Sequence, residues 1–124
     1  MEKKKKTVLL VEDDGFISEI YNVKLELKGF EVDLAEDGEE AVEKFKKTKP
    51  DIVLLDIFLP KKDGWEVLEE IHKEDHFEKT KVIMLTNLGD KDKIEKAENY
   101  GIKDYFVKAS HTPEEVVQKI KDVL

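Results

Sequence analysis

Ile52-Val53-Leu54-Leu55-Asp56-Ile57-Phe58-Leu59-Pro60 is an apolar run interrupted by one carboxylate. Consecutive apolar residues without polar alternation read as a strand buried on both faces, the kind found in parallel sheets covered by helices. A carboxylate inside such a strand is costly unless it is paired, hydrogen-bonded or bound to metal. At the strand's C-terminal end it is well placed, because open α/β sheets carry their sites there. Burial alone therefore makes Asp56 a functional candidate.

Outward from this strand, apolar strands alternate with amphipathic helical stretches along the whole chain. Thr7-Val8-Leu9-Leu10-Val11 is a buried strand closed by Glu12-Asp13-Asp14. Phe16, Ile17, Ile20, Val23, Leu25 and Leu27 recur near helical spacing, and Gly29 suits the left-handed residue that ends a helix. Phe30 to Ala35 alternates strictly, as an edge strand with one wet face does. Asp37 can cap the next helix, which turns Ala41, Val42 and Phe45 inward. Asp63 can cap a helix from about Gly64 to His72, with Trp65, Val67, Leu68 and Ile71 as its apolar positions. Lys81 to Thr86 is a fourth strand, Asp90 or a neighbour opens a polar fourth helix ending near Tyr100 with Gly101 at its C-cap, and Asp104 to Lys108 is a fifth strand. Thr112-Pro113-Glu114-Glu115 is a strong helix start: a cap, proline at the first helical position, then acids in the first turn. Val116, Val117, Ile120, Val123 and Leu124 complete that fifth helix.

Strict βα alternation predicts one parallel sheet with helices on both faces, joined by right-handed crossovers. A closed barrel needs about eight such units, so five fit an open sheet. The 124 residues form one expected domain, spanning 1–124, with no linker or low-complexity segment.

Composition narrows the function classes. The chain is 40% hydrophobic and 42% charged with a net charge of −8, which disfavours a general nucleic-acid or anionic-membrane binder. All 22 basic residues are lysines, so the bidentate arginine fork is missing. Lys3-Lys4-Lys5-Lys6 reads as a solvated lead-in to the first strand. There is no cysteine, hence no disulfide or thiolate chemistry. No apolar stretch approaches the roughly 20 residues that span a bilayer, and no signal peptide is evident. A soluble cytoplasmic protein is the expectation.

The C-terminal ends of parallel strands share one edge. Glu12 and Asp13, Asp56, Thr86 and Lys108 all fall there. Clustered carboxylates repel unless a cation sits among them. Oxygen ligands without His or Cys indicate Mg²⁺, with Mn²⁺ or Ca²⁺ possible. Metal, ammonium and hydroxyl are also what a phosphoryl group needs around its oxygens, and a carboxylate can be the nucleophile that forms an acyl phosphate.

Glu12-Asp13 after an apolar strand, Asp56 before Leu59-Pro60 and Asp63-Gly64, then Thr86, Tyr105 and Lys108, together resemble the receiver domain of bacterial two-component response regulators (CheY-like). The resemblance covers essentially the whole chain, in order. It implies a (βα)₅ flavodoxin-like fold with strand order 2-1-3-4-5, the order for which the single-domain chemotaxis receiver is a standard example. It implies that Asp56 accepts a phosphoryl group from a sensor histidine kinase or histidine phosphotransfer protein. Glu12, Asp13 and Asp56 would hold Mg²⁺, with the backbone carbonyl of Phe58 as another ligand. Lys108 would pair with the phosphoryl oxygens, Thr86 would hydrogen-bond them, and Tyr105 would change rotamer as Thr86 moves. The surface of the fourth helix, fifth strand and fifth helix would bind a downstream protein or form a weak homodimer. Asp14 falls just after the family's acidic pair and reads as a loop residue or helix cap.

Three positions depart from the family pattern. Ala109 follows Lys108 where the family usually has a cis-proline. A cis bond to alanine costs roughly 2.5–4 kcal/mol, against about 0.5–1 for proline, which leaves the loop free to be trans and Lys108 free to shift. Asn87 is larger and more polar than the usual small residue. Phe58 is bulky and apolar, and would hinder an attacking water and prolong the phosphorylated state.

Taken singly, these residues have plainer readings: Glu12-Asp13-Asp14 as a capping cluster, Thr86 as an ordinary strand residue, Lys108 as a surface lysine, Tyr105 as edge packing. His72, His76 and His111 lack ligand spacing and read as surface residues, Trp65 as a packing residue and Lys61-Lys62 as a solvated loop. The expected role is a switch rather than an enzyme with its own substrate, without nucleic-acid or membrane contact. An aspartyl-nucleophile phosphohydrolase usually carries a second acid two residues on, where Phe58 stands. A degenerate receiver that binds partners without phosphorylation is the other alternative. The chain ends at the fifth helix, which fits either a domain acting through protein partners or a piece of a longer protein.

Overall fold

The computed structural model describes residues 5–86, 95, 98–99, 104–107 and 111–124, with the backbone alone for 86 and 104–107. Its elements are β1 (Thr7–Val11), α1 (Gly15–Leu27), β2 (Glu31–Ala35), α2 (Gly38–Thr48), β3 (Ile52–Asp56), α3 (Gly64–Ile71), a single 3₁₀ turn (Phe77–Lys79), β4 (Lys81–Thr86), β5 (Asp104–Val107) and a C-terminal helix (Pro113–Val123). The strands form one sheet with every pair parallel, as the alternation predicts, in the order β2-β1-β3-β4-β5 that the resemblance implies. Of the expected fourth helix, Glu95, Glu98 and Asn99 are helical, and the rest lies outside the described residues.

Alternation along the central strands splits the core in two. Leu9 and Val11 of β1 and Val53 and Leu55 of β3 face α2 and α3, where Ala41, Phe45, Leu68 and Ile71 meet them. Val8, Leu10, Ile52 and Leu54 face α1 and the C-terminal helix, meeting Tyr21, Leu25, Val117 and Ile120. β3 is buried at all five positions. Each fully buried Leu or Ile contributes about 1.5–3 kcal/mol, so the strand that carries Asp56 is among the best anchored.

Local signals start and stop the helices. Asp14 accepts from the N–H groups of Phe16 and Ile17 at 2.9 and 3.2 Å, so the third acid of the run is a cap. Asp37 and Asp63 accept from Glu40 and Glu66 at 2.8 and 2.9 Å. Thr112 and Glu115 form a reciprocal capping box. Gly29 has φ 91°, the left-handed exit expected after α1.

Three expectations need correction. The six apolar residues of α1 do not share one face: Ser18, Tyr21 and Leu25 are buried, whereas Phe16, Val23 and Leu27 are 76%, 50% and 80% exposed. At about 3.6 residues per turn, Tyr21 and Leu25 line up toward the sheet, while Phe16, Ile20, Val23 and Leu27 form a second stripe. The histidines are half-buried rather than plain surface residues. His76 stacks on Phe45 with ring centres 4.5 Å apart, its Nε2 3.0 Å from the Phe45 carbonyl oxygen. Lys61 is exposed, as a solvated loop residue is expected to be, with Asp37 at 3.5 Å, whereas Lys62 is half-buried and pairs with Glu70 at 3.3 Å.

β2 is the edge strand the alternation predicts. Its Ala35 carbonyl accepts from Glu12 N–H at 3.0 Å, so the Leu34 carbonyl points away from the sheet. Lys44 of α2 reaches that carbonyl with its ammonium and also pairs with Asp33 and Glu40 at 3.2 and 3.1 Å.

Candidate functional site

Register brings the acids together. Val11 of β1 lies opposite Leu55 of β3, so Glu12 and Asp56 are the next residues on two adjacent strands. Adjacent strands lie about 4.8 Å apart. Both acids continue the alternation of Leu10 and Leu54, which places them on the α1 side of the sheet. Glu12 is 3% exposed and Asp56 2%, while Asp13 is exposed. Carboxylate oxygens of the three lie within 4.8 Å of one another. Asp13 N–H donates to Glu12 Oε2 at 3.1 Å, and Phe58 N–H donates to Asp56 Oδ1 at 3.2 Å.

Two buried acids and an exposed third thus gather at one point of the strand ends. Repulsion and lost hydration both weigh against gathering three carboxylates there, and a cation among them offsets both. An all-oxygen donor set suits a hard divalent cation, and an exposed third ligand leaves open positions for water or substrate oxygens. The residues present therefore fit Mg²⁺.

Tyr21 was missing from the sequence reading. It is 6% exposed on α1, and burial together with the charges of Glu12 and Asp56 pushes its phenol up to about 12. The signal available was Ile17, Tyr21 and Leu25 at i, i+4 spacing, which counts only if a tyrosine is allowed into the buried set. A cavity of about 190 Å³ separates Tyr21 and Glu12 from Leu85, Pro113 and Val116. A wider groove of about 870 Å³ runs between α1 and the C-terminal helix past Lys24, Leu27 and Gln118, and contains none of the three acids. Charge and register mark the site here, rather than volume.

The loop after Asp56 is held at several points. Gly64 N–H donates to the Ile57 carbonyl at 2.8 Å, and Lys62 N–H to the Pro60 carbonyl at 2.8 Å. A side chain at Gly64 would lie 2.6 Å from the Asp56 carbonyl oxygen, so α3 begins against the backbone of Asp56. Lys61 has φ 68°, an uncommon conformation for a residue with a side chain. Phe58 is 59% exposed at the rim. Asp37, across from Lys61, titrates below the usual carboxylate range, chiefly because Glu40 N–H donates to it and secondarily because of the Lys61 charge.

Of the predicted site residues, Glu12, Asp13 and Asp56 are brought together. Thr86 ends β4 one residue beyond Leu85, the partner of Asp56, and Tyr105 lies in β5 opposite Met84. The side chains of Thr86 and Tyr105, and the whole of Asn87, Lys108 and Ala109, lie outside the described residues. Among the described residues, no helix is long and apolar enough to cross a membrane.

Comparison with known proteins agrees with this geometry. The profile of the response regulator receiver domain matches residues 8–121. A protein of Pyropia yezoensis called a probable transcriptional regulator, ycf27, is 40% identical over 125 residues, covering 100% of this chain and 49% of that one. The chain thus spans about half the length of that relative and of several like it. The chemotaxis protein CheY of Halobacterium salinarum is 40% identical over 96% of this chain and 97% of its own. A Borrelia burgdorferi structure described as a CheX-CheY-BeF3-Mg²⁺ complex superposes with TM-score 0.83 at 35% identity, over 95% of this chain and 88% of that one.

Proposed function

The chain belongs to the response regulator receiver family of two-component signalling, and on that premise we propose that it is a phosphoryl-accepting switch with Asp56 as its acceptor. One observation carries the reading: a carboxylate 2% exposed at the end of β3, with oxygens of Glu12 and Asp13 within 4.8 Å. In the proposed step an Asp56 oxygen attacks the phosphorus of a phosphohistidine on a sensor kinase or phosphotransfer protein. The new O–P bond forms as the N–P bond breaks, and its electron pair returns to the imidazole nitrogen. Hydrolysis of the acyl phosphate then restores Asp56 and releases inorganic phosphate.

Glu12, Asp13 and Asp56, with the Phe58 carbonyl, would hold Mg²⁺, or Mn²⁺ in its place. Bound there, the cation would offset the charge of the acids and of the phosphoryl oxygens. The Phe58 N–H keeps one Asp56 oxygen engaged at 3.2 Å, which orients the other for attack. Lys108 would pair with the phosphoryl oxygens and Thr86 would donate to them. Tyr105 would follow Thr86 and pass the change to β5 and the C-terminal helix, where a downstream protein would bind. Phe58 replaces the second acid that a turnover hydrolase needs, so the chain acts on its own phosphoryl group only. The proposal for these residues is regulation through protein contact.

The test is intact mass after incubation with Mg²⁺ and acetyl phosphate or a phosphorylated kinase. One labile phosphoryl group is expected in the parent and none in Asp56→Ala. Followed over time, the group should be lost faster from Phe58→Asn. No gain with a competent kinase would leave the degenerate alternative, the outcome expected only if Ala109 displaces Lys108.

A further inference from the structure

Three helices of this chain begin with the same pair, Asp14-Gly15, Asp37-Gly38 and Asp63-Gly64, and the three glycines meet different surroundings. A side chain at Gly15 would meet nothing within 4 Å. At Gly64 it would meet the backbone of Asp56 and Ile57 at 2.6 Å. At Gly38 it would lie 2.1 Å from the Lys62 carbonyl oxygen and 2.7 Å from the Lys62 carbonyl carbon. These are backbone atoms, which a rotamer change cannot move aside. Gly38 N–H, in addition, donates to the Pro60 carbonyl at 3.2 Å. Beside that bond, the Lys61 ammonium lies 3.5 Å from Asp37 and 3.9 Å from Glu39.

We infer that Gly38 is a positioning residue for the phosphoacceptor loop. Its missing side chain lets the start of α2 close on Pro60–Lys62, and that contact fixes the loop between Asp56 and Asp63. The inference rests on the receiver reading above, since the loop matters through Phe58, whose N–H holds Asp56 and whose carbonyl would face the metal. Gly64 braces the same loop from the α3 side. Residues that orient metal ligands from behind typically change metal affinity by about 10–100-fold when altered. A displacement of the loop by a methyl group at position 38 belongs in that class. Reciprocity adds a second consequence: if the contact favours metal binding, metal binding must favour the contact by the same factor.

The experiment compares the parent with Gly38→Ala and with Gly15→Ala as the matched control. Mg²⁺ binding is measured by calorimetry, acetyl phosphate labelling by intact mass, and folding by circular dichroism. The expected result is a folded Gly38→Ala with Mg²⁺ affinity reduced about tenfold or more. Its labelling should recover toward parental rates at saturating Mg²⁺, a split that general destabilisation would not produce. Gly15→Ala should match the parent in both. On the parent itself, the Gly38 amide should exchange its hydrogen several-fold more slowly once Mg²⁺ is bound, a readout that survives if the variant does not fold. Equal Mg²⁺ affinity in Gly38→Ala and Gly15→Ala would overturn the inference, as would a Gly38 amide indifferent to Mg²⁺. A parent that neither binds Mg²⁺ nor labels at Asp56 would overturn the receiver reading instead.

Discussion

α1 and α2 start from the same local signal and reach opposite ends. Each has an aspartate cap followed by glycine, and each lies against the sheet. α2 buries Ala41, Val42 and Phe45 and shows water Glu39, Glu43, Lys46 and Lys47. α1 buries Tyr21 and Leu25 but leaves Phe16, Val23 and Leu27 in solvent. A capping pair therefore starts a helix without saying what the helix is for. α2 spends its apolar residues on the core, and its first turn meets the loop after Asp56 at Pro60 and Lys62. α1 keeps an exposed apolar stripe on the element that also carries Tyr21 beneath the acids.

The contrast can be tested from its largest consequence to its smallest. Phe45→Ala removes a ring with 0% exposure from the α2 face, and about 3–5 kcal/mol of unfolding free energy should be lost in denaturant melts. Tyr21→Phe tests the inner face of α1. A phenol raised from 10.0 to about 12 stabilises the fold fully below pH 10, and that contribution is lost as pH rises through 12. Above that range the parent should have lost stability that the phenylalanine variant keeps, read from unfolding curves at stepped pH. Asp37→Ala should lower stability by about 1 kcal/mol through the lost cap. Asp14→Ala should cost a similar amount, because both caps accept backbone N–H groups at ordinary distances. Leu27→Ser, on the outer stripe of α1, should change stability by no more than about 0.5 kcal/mol. A loss as large as that of Phe45→Ala would show that the stripe is part of the core after all.

Much of the architecture was legible because its determinants are local and repeated. Unbroken apolar runs predicted β1, β3 and β4, and cap residues predicted the helix starts to the residue at Asp37, Asp63 and Thr112. The acid cluster was legible for a different reason: a charge ending an apolar strand is costly, and parallel strands collect such ends at one edge. What stayed hidden depends on neighbours distant in sequence. The apolar residues of α1 cover too wide an arc for periodicity to select one face, and the polar atoms of Tyr21 and Ser18 kept them out of the expected core. The roles of Gly38 and Gly64 exist only through Lys62 and Asp56, and nothing in an Asp-Gly pair distinguishes them from Gly15. The ion pairs of Lys61 and Lys62 were not legible in a solvated loop because their partners, Asp37 and Glu70, sit on other elements.

The reach of Lys44 to the Leu34 carbonyl has a consequence for behaviour at high concentration. β2 is the outer strand beside β1, and its outward carbonyls are where a strand from another molecule would add. One of those acceptors is already taken by an ammonium that Asp33 and Glu40 hold in place. An incoming strand would have to displace that charge and find another partner for it. The lysine thus makes this margin of the sheet a poor template for growth, and Lys44→Met is a change that would expose the protein to self-assembly through β2.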